Sequence, residues 1–279
     1  MTVRIVTDST CDLPRSVVVE LGVTVVPLTV LFGDEAFLDG VEIDSATFFE
    51  RMRRFPGLPK TSQPSVARFK EAYQAAGADG SEIVSIHISS RMSGTLNSAS
   101  VAREQLIGEV HVDLIDSYQV SLGLGAVVLE AAAAAATGAG IAEVSRVAHA
   151  AIGRTRVVAV VDTLEYLRRG GRIGRAASLV GGLLSIKPIL QMTNGELAPF
   201  ERVRTRAKAV DRLAQIAVED QTIRRLFVAA AGDDAATAEF IERVRPRLPH
   251  TDIRFGQIGP VVGAHSGPGL LGICPVRRE

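Results

Sequence analysis

Short β-branched runs alternate along this chain with longer stretches whose apolar residues return every three or four positions. The first pattern reads as buried strands and the second as helices packed on them. Residues 3–7 form such a strand, ending in Asp8-Ser9-Thr10. Asp12 is placed to cap a short helix, with Pro14 early in it and Gly22 at its end. Residues 23–32 read as one long strand, and Gly33-Asp34 turns the chain so that residues 35–38 return as a hairpin. Asp44 opens a helix through Phe48, Phe49 and Met52, closed by Pro56-Gly57 and Pro59. Residues 60–65 read as a polar loop, and Ser65 caps a helix to about Ala76.

Residues 83–88 are a buried strand that breaks into Ser89-Ser90 and Ser93-Gly94-Thr95, where a helix begins that runs to about Leu106. A strand at 110–115 ends in Asp116-Ser117, and two helices follow at 121–137 and 141–152. Strand and helix in alternation predict a mainly parallel sheet with helices on its faces. Ligands in such sheets bind beyond the carboxyl ends of the strands, where Asp8, Ser89 and Asp116 would lie.

Gly153-Arg154-Thr155 reads as a boundary between an α/β domain at 1–153 and an α+β domain at 154–279. The second half begins with a strand at 157–161, a short helix at 163–169 and the turn Gly170-Gly171-Arg172-Ile173-Gly174. A helix at 176–184 leads to a strand at 186–192. Asn194-Gly195 is a strong hairpin signal, so residues 197–203 return antiparallel. A helix at 206–218, a strand at 226–231, a helix at 235–247 and a strand at 253–258 follow, giving a mixed or antiparallel sheet. The tail G-P-V-V-G-A-H-S-G-P-G-L-L-G reads as a glycine-rich loop carrying His265.

At 279 residues and 47% hydrophobic, the chain is large enough for a substantial core. Thirty-one basic residues balance thirty-one acidic ones, which argues against a nucleic-acid binder. Cys11 and Cys274 stand far apart, with no zinc or disulfide pattern. The most apolar run, 120–136, is mostly alanine and holds Glu130, which suits a packed helix rather than a membrane span. A strand at the very start, where an export segment would stand, points to the cytoplasm.

No phosphate-binding glycine loop, dinucleotide fingerprint, H-E-x-x-H or nucleophile elbow occurs, so the residues call for no metal or cofactor. The turn Ser89-Ser90-x-x-Ser93-Gly94-Thr95 gathers hydroxyls and free N–H groups at a helix start, which suits an anion. Serine there is equally an ordinary helix cap. Thr61-Ser62 forms a second hydroxyl cluster. Hydroxyls and amides with so few cations beside them suit one carboxylate better than a polyphosphate, which would want more cation. His87, inside an apolar strand, reads as a satisfied core histidine, and His265 as a site residue or an exposed one. Arg168, Arg169, Arg172 and Arg175 cluster, as do Arg204, Arg206 and Lys208; they form either a solvated face or a docking surface for phosphate or protein.

These motifs together resemble the DegV family of bacterial fatty-acid-binding proteins. The matching pieces are T-D-S-T-C-D-L-P at 7–14, K-T-S-Q-P-S at 60–65, I-S-S-R-M-S-G-T-L-N-S-A at 88–99 and D-S-Y-Q-V-S-L-G-L-G at 116–125. Y-L-R-R-G-G-R-I-G at 166–174, I-K-P-I-L at 186–190, R-T-R-A-K-A at 204–209 and G-P-V-V-G-A-H-S-G-P-G at 259–269 complete them. Met92 and Leu96 depart from the family pattern, in which leucine and an aromatic are frequent. The resemblance implies two α/β domains with a long-chain fatty acid such as palmitate held between them, the carboxylate meeting Thr61, Ser62, Ser93, Gly94 and His265. It further implies a carrier without chemistry of its own, which presents the acid to a separate ATP-dependent kinase for acyl phosphate formation. Arg172, Arg204 and Arg206 are the expected partner-docking residues, and transient contact with a membrane surface is expected. The competing expectation is a serine acyl hydrolase or transferase using Ser93 and His265.

Overall fold

The computed structural model describes residues 2–179 and 186–278. Strand β1 (Val3–Asp8) leads through a 3-10 turn to helix α1 (Arg15–Glu20), and β2 (Thr24–Val26) follows. Next come the hairpin β3 (Thr29–Phe32) and β4 (Glu35–Leu38), helix α2 (Ser45–Arg54) and the short strand β5 (Lys60–Ser62). Helix α3 (Val66–Gly77), β6 (Glu82–His87), α4 (Thr95–Glu104), β7 (Val112–Asp116), α5 (Leu122–Ala136) and α6 (Ile141–Arg154) complete the first half. Four strands in the order β2-β1-β6-β7 form an all-parallel sheet. Its carboxyl ends bring Asp8, Ser89 and Asp116 to one rim, as the alternation predicts. Side chains bury on both sides of it, with Val6, Ile83 and Tyr73 in one cluster and Ile5, Val84 and Ile86 in the other.

His87 is the core histidine that its apolar strand predicts. It is fully buried, with Nδ1 3.0 Å from the Asp8 carboxylate and Nε2 2.7 Å from the Ser85 hydroxyl. Ser85 in turn meets the Tyr73 hydroxyl at 2.9 Å, so a chain of polar groups crosses the core with each link satisfied.

The second half holds β8 (Val158–Val160), α7 (Glu165–Arg169), β9 (Lys187–Thr193), β10 (Glu196–Val203) and α8 (Arg206–Glu219). Strand β11 (Ile223–Ala230), α9 (Asp234–Val244), β12 (Asp252–Phe255), α10 (Pro260–Ser266) and β13 (Leu271–Arg277) follow. Its six-stranded mixed sheet has the order β10-β9-β8-β13-β11-β12. Asn194 and Gly195, both at positive φ, make the expected tight hairpin between β9 and β10. Parity separates the two faces of this sheet. Val158, Val160, Ile189, Val228 and Ile273 pack with α8 and α9, whereas Val157, Ala159, Val161, Leu190, Ala229 and Cys274 share a cluster with residues of β3, α2, α5 and α10.

Four expectations need correction. The strand expected at 23–32 is two strands in different sheets: β2 pairs in parallel with β1, and β3 joins the antiparallel sheet β4-β3-β5. Pro27 stands between them, without an N–H to continue a ladder. Residues 60–62, expected as loop, pair with β3 and set Thr61 opposite Val30. Asp12 does not cap α1, whose N-cap is Pro14; it sits in a left-handed conformation and turns its carboxylate elsewhere. The glycine-rich tail is not a loop: residues 260–266 are helical and 271–277 form a strand at the centre of the six-stranded sheet. The helix expected at 176–184 extends into residues outside the described ones; Gly174–Leu179 forms a 3-10 turn.

Helix α10 packs on α2, α7, β3 and β5. Gly263 makes the close approach to α2 possible, since a Cβ there would lie 2.7 Å from Phe49 and 2.8 Å from Phe48. Gly263→Ala would raise helix propensity by ~1 kcal/mol, but overpacking against two rigid rings costs ~1–3 kcal/mol. A net loss of stability in urea denaturation is the expected result. A stabilised variant would mean that the rings give way and the contact is not tight.

Candidate functional site

A cavity of about 330 Å³ lies between the carboxyl rim of the parallel sheet and the facing side of the mixed sheet. Volumes of this order are typical of small-molecule sites. Ala159 of β8 with its flanking residues Val157 and Val161, Leu190 of β9 and Gly272 of β13 supply one wall. Leu28, Ile88, Val120 and Leu122 supply another, and Ile258, Val261 and Val262 line it from the start of α10. The lining is mostly aliphatic because both sheets turn buried faces to it.

Several polar groups gather at the other end of α10. Thr61 and Ser62 come from β5, Ser93 from the turn before α4, Arg172 from the loop after α7, and His265 from the last turn of α10. Thr61 Oγ1 lies 2.7 Å from His265 Nε2. The other ring nitrogen, Nδ1, is buried without a hydrogen-bond partner. Burial, helped by the Arg172 cation, holds the His265 pKa down at about 4, so the ring is neutral near pH 7. A neutral ring that donates from Nε2 leaves the Thr61 hydroxyl proton free for an acceptor in the cavity.

The Ser93 hydroxyl is 2.9 Å from that of Thr95 and accepts the Thr95 N–H at 3.3 Å. Helix α4 therefore has Gly94, not Ser93, at its N-cap position. Gly94 stands one step back from the cavity beneath Gln63, whose amide oxygen would be 2.0 Å from any Cβ there. Gln63 lines the cavity and donates to Ser98 at 2.9 Å; sequence reasoning missed it, although it lies inside the quoted K-T-S-Q-P-S stretch. Met92 lines the cavity, whereas Leu96 is not among its lining residues.

The hydroxyl bonded to His265 is that of Thr61, and no hydrogen bond of the described residues joins Ser93 to His265. The Ser93–His265 pair that a hydrolase needs is thus not assembled here. Arg172 is exposed yet lines the cavity mouth, donating from Nε to Met92 O at 3.1 Å and from Nη1 to Gly170 O at 2.8 Å. Arg204 lies exposed on the approach to α8, and Arg206 stands 3.6 Å from Asp162.

Two buried carboxyl groups hold the other end of α10. Asp12 accepts the Gly259 N–H at 3.0 Å and the Ser121 hydroxyl. Asp39 accepts the Ser9 hydroxyl at 2.8 Å and the Val261 N–H. At 1.5 Å per residue this anchor is roughly 8 Å from His265 along the helix. Nothing in the local pattern around Asp39 signals this role, since its partners come from the far end of the chain.

A family model described as an uncharacterised protein of the DegV family matches residues 2–278. The chain belongs to the DegV family. A DegV domain-containing protein of Streptomyces coelicolor is 40% identical, with 99% of each chain covered. The solved structure of DegV from Bacillus subtilis, described as a fatty acid binding protein, matches at a TM-score of 0.93 with 32% identity. A Thermus thermophilus DegV family protein, whose structure is described as showing fatty acid binding, matches at 0.91 with 33% identity. All of both chains is covered in each of these two comparisons. The α/β fold with one parallel and one mixed sheet is that of DegV proteins. Among the described residues, no helix is long and apolar enough to cross a membrane.

The anchor carboxyls make stability depend on pH. Burial pushes Asp39 up to about 7 against its hydrogen bonds, and Asp8 adds repulsion. Asp12 is likewise driven well above the carboxylate range, chiefly by burial. Between about pH 4 and 7 the folded chain keeps the Asp39 proton that the unfolded chain has lost. Its contribution to stability is therefore full at low pH and falls as pH rises. His265 has the opposite sign: its contribution is full above its ordinary value of 6.5 and lost as pH falls toward 4. Asp39→Asn isolates the first effect. Its stability relative to the parent should improve by up to ~1.4 kcal/mol per pH unit from pH 5 to 7, then level off. A difference that stays constant from pH 5 to 8 in guanidinium denaturation would refute the assignment.

Proposed function

We propose that this DegV protein is a carrier that binds one long-chain fatty acid, such as palmitate, in the cavity between its two sheets. In this reading the acid lies between an N-terminal domain, residues 1–153, and a C-terminal domain, residues 154–279. The carboxylate faces Thr61, Ser62, Ser93, Gly94 and His265. The observation that carries the reading is the division of the cavity: aliphatic along its walls, with hydroxyls, a cation and a neutral histidine gathered at one end. Its likeness to DegV structures described as fatty acid binding supports the same assignment.

A palmitate chain gains roughly 12 kcal/mol on leaving water, at ~0.8 kcal/mol per methylene. A bilayer offers a similar gain, so the apolar walls alone do not draw the acid from a membrane. Selectivity must come from the headgroup, where charge-assisted hydrogen bonds contribute ~1.5–3 kcal/mol each. They also spare the carboxylate the cost of burial without partners. The acid is loaded by transient contact with a membrane surface in the cytoplasm.

The carrier performs no chemistry of its own. A separate ATP-dependent fatty acid kinase docks on Arg172, Arg204 and Arg206, and transfers the γ-phosphoryl group of ATP to a carboxylate oxygen, releasing ADP. Arg172 lines the cavity together with Thr61 and His265, which supports a docking role for it in this reading.

Native mass spectrometry of protein purified from bacterial cytosol should show one non-covalent fatty acid per chain. Lipid-free protein that takes up no labelled palmitate would overturn the reading. Ser93→Ala and Thr61→Val should each weaken palmitate binding by roughly tenfold, the value of one such hydrogen bond. Unchanged affinity would place the carboxylate elsewhere, and loss of a p-nitrophenyl esterase activity in Ser93→Ala would favour the hydrolase. Arg204→Glu should cut acyl phosphate formation with the partner kinase at least about tenfold, as truncating an interface anchor does, while palmitate affinity holds. Equal loss of both would rule out a docking role.

A further inference from the structure

Leu122 lies between two cavities. It is the first residue of α5, and its side chain is 4% exposed. It lines the main cavity at the end remote from His265, near Ile258 and Thr10. It also lines a neighbouring cavity of about 390 Å³ with an apolar wall of Leu13, Val17, Leu21, Leu129 and Phe227 and charged residues Asp12, Glu20, Arg225 and Arg254 around it. No other described residue lines both. The neighbouring cavity opens to solvent beside Arg254 and Phe255, both exposed.

The partition is one side chain thick and held firmly. The Ser121 N–H donates to Thr10 O at 2.9 Å, and its hydroxyl bonds Asp12, so the backbone entering α5 does not drift. From behind, Leu122 rests on Gly256, where a Cβ would lie 2.5 Å from Leu122 Cδ2. Gly256 has no positive φ, so alanine fits its backbone and meets only this side chain so closely.

We propose that Leu122, braced on Gly256, is the stop that sets the longest acyl chain this protein accepts. The proposal rests on the fatty acid reading above. Acids that fit end against its methyl groups; longer ones must displace it into the second cavity, whose apolar wall is ready to receive further methylenes. Chain-length preference then follows from one side chain and the glycine behind it, not from the whole lining.

The two residues allow opposite changes. Leu122→Ala joins the cavities, and Gly256→Ala drives Leu122 inward and shortens the main one. The full chain would be loaded with an equimolar mixture of saturated acids from palmitate to docosanoate, and occupancies read by native mass spectrometry. Leu122→Ala should raise the docosanoate-to-palmitate ratio at least about tenfold, the value of some two buried methylenes. Gly256→Ala should lower the stearate-to-palmitate ratio about fourfold, the value of one. Should either variant fail to fold, the other still decides. Folded variants that bind palmitate with the parent's length profile would overturn the proposal. A parent that loads no acid at all would instead overturn the fatty acid reading beneath it.

Discussion

The carboxyl of Asp12 accepts the N–H of Gly259, a residue 247 positions away in the chain. With Asp39 on the Val261 N–H and Ser45 donating to Ile258 O, it ties the start of α10 to the N-terminal half. This attachment fixes one end of the helix that carries His265, and packing on α2, α7, β3 and β5 fixes the rest. The first-turn N–H groups of a helix have no partner within it, so a buried helix start needs acceptors from elsewhere. Here those acceptors are buried acids raised toward their neutral form by the same burial that makes them necessary.

Around that attachment the molecule forms two sheets of different character facing one space. The parallel sheet offers its carboxyl rim, where strands end in short polar turns with free N–H groups. The mixed sheet offers a flank whose alternate residues are small or aliphatic. A cavity with one polar end and long apolar walls is the geometric result of setting an edge against a face. At the polar end the neutral His265, the hydroxyls of Thr61, Ser62 and Ser93, and the Arg172 cation come together.

Much of the local structure was legible because its causes are local. The β-branched strand at 83–88, the caps Asp44 and Ser65, and the Asn194-Gly195 hairpin all follow from neighbours in the chain. So did His87, whose apolar setting and period already implied a buried, satisfied ring. Thr61, Ser62 and Ser93 could be singled out as hydroxyl clusters, and their motifs pointed to one family. What misled were residues whose partners are distant. Pro27 ends a strand that looks continuous, because the chain passes from one sheet to another there. The tail around His265 looks like a loop for its glycines, yet Gly263 is needed where the helix presses on Phe48 and Phe49.

By itself, the amino-acid sequence determined most of the helices and strands, the family and the hydroxyls at one end of the cavity. These rest on capping, side-chain period and turn chemistry, which act within a few residues. Only the tertiary structure decided that Thr61 meets His265, that Asp12 and Asp39 hold the helix between them and the cavity, and that Leu122 divides two spaces. Each of those depends on packing between segments far apart in the chain. No pattern along it records which buried carboxyl will find which unpaired N–H.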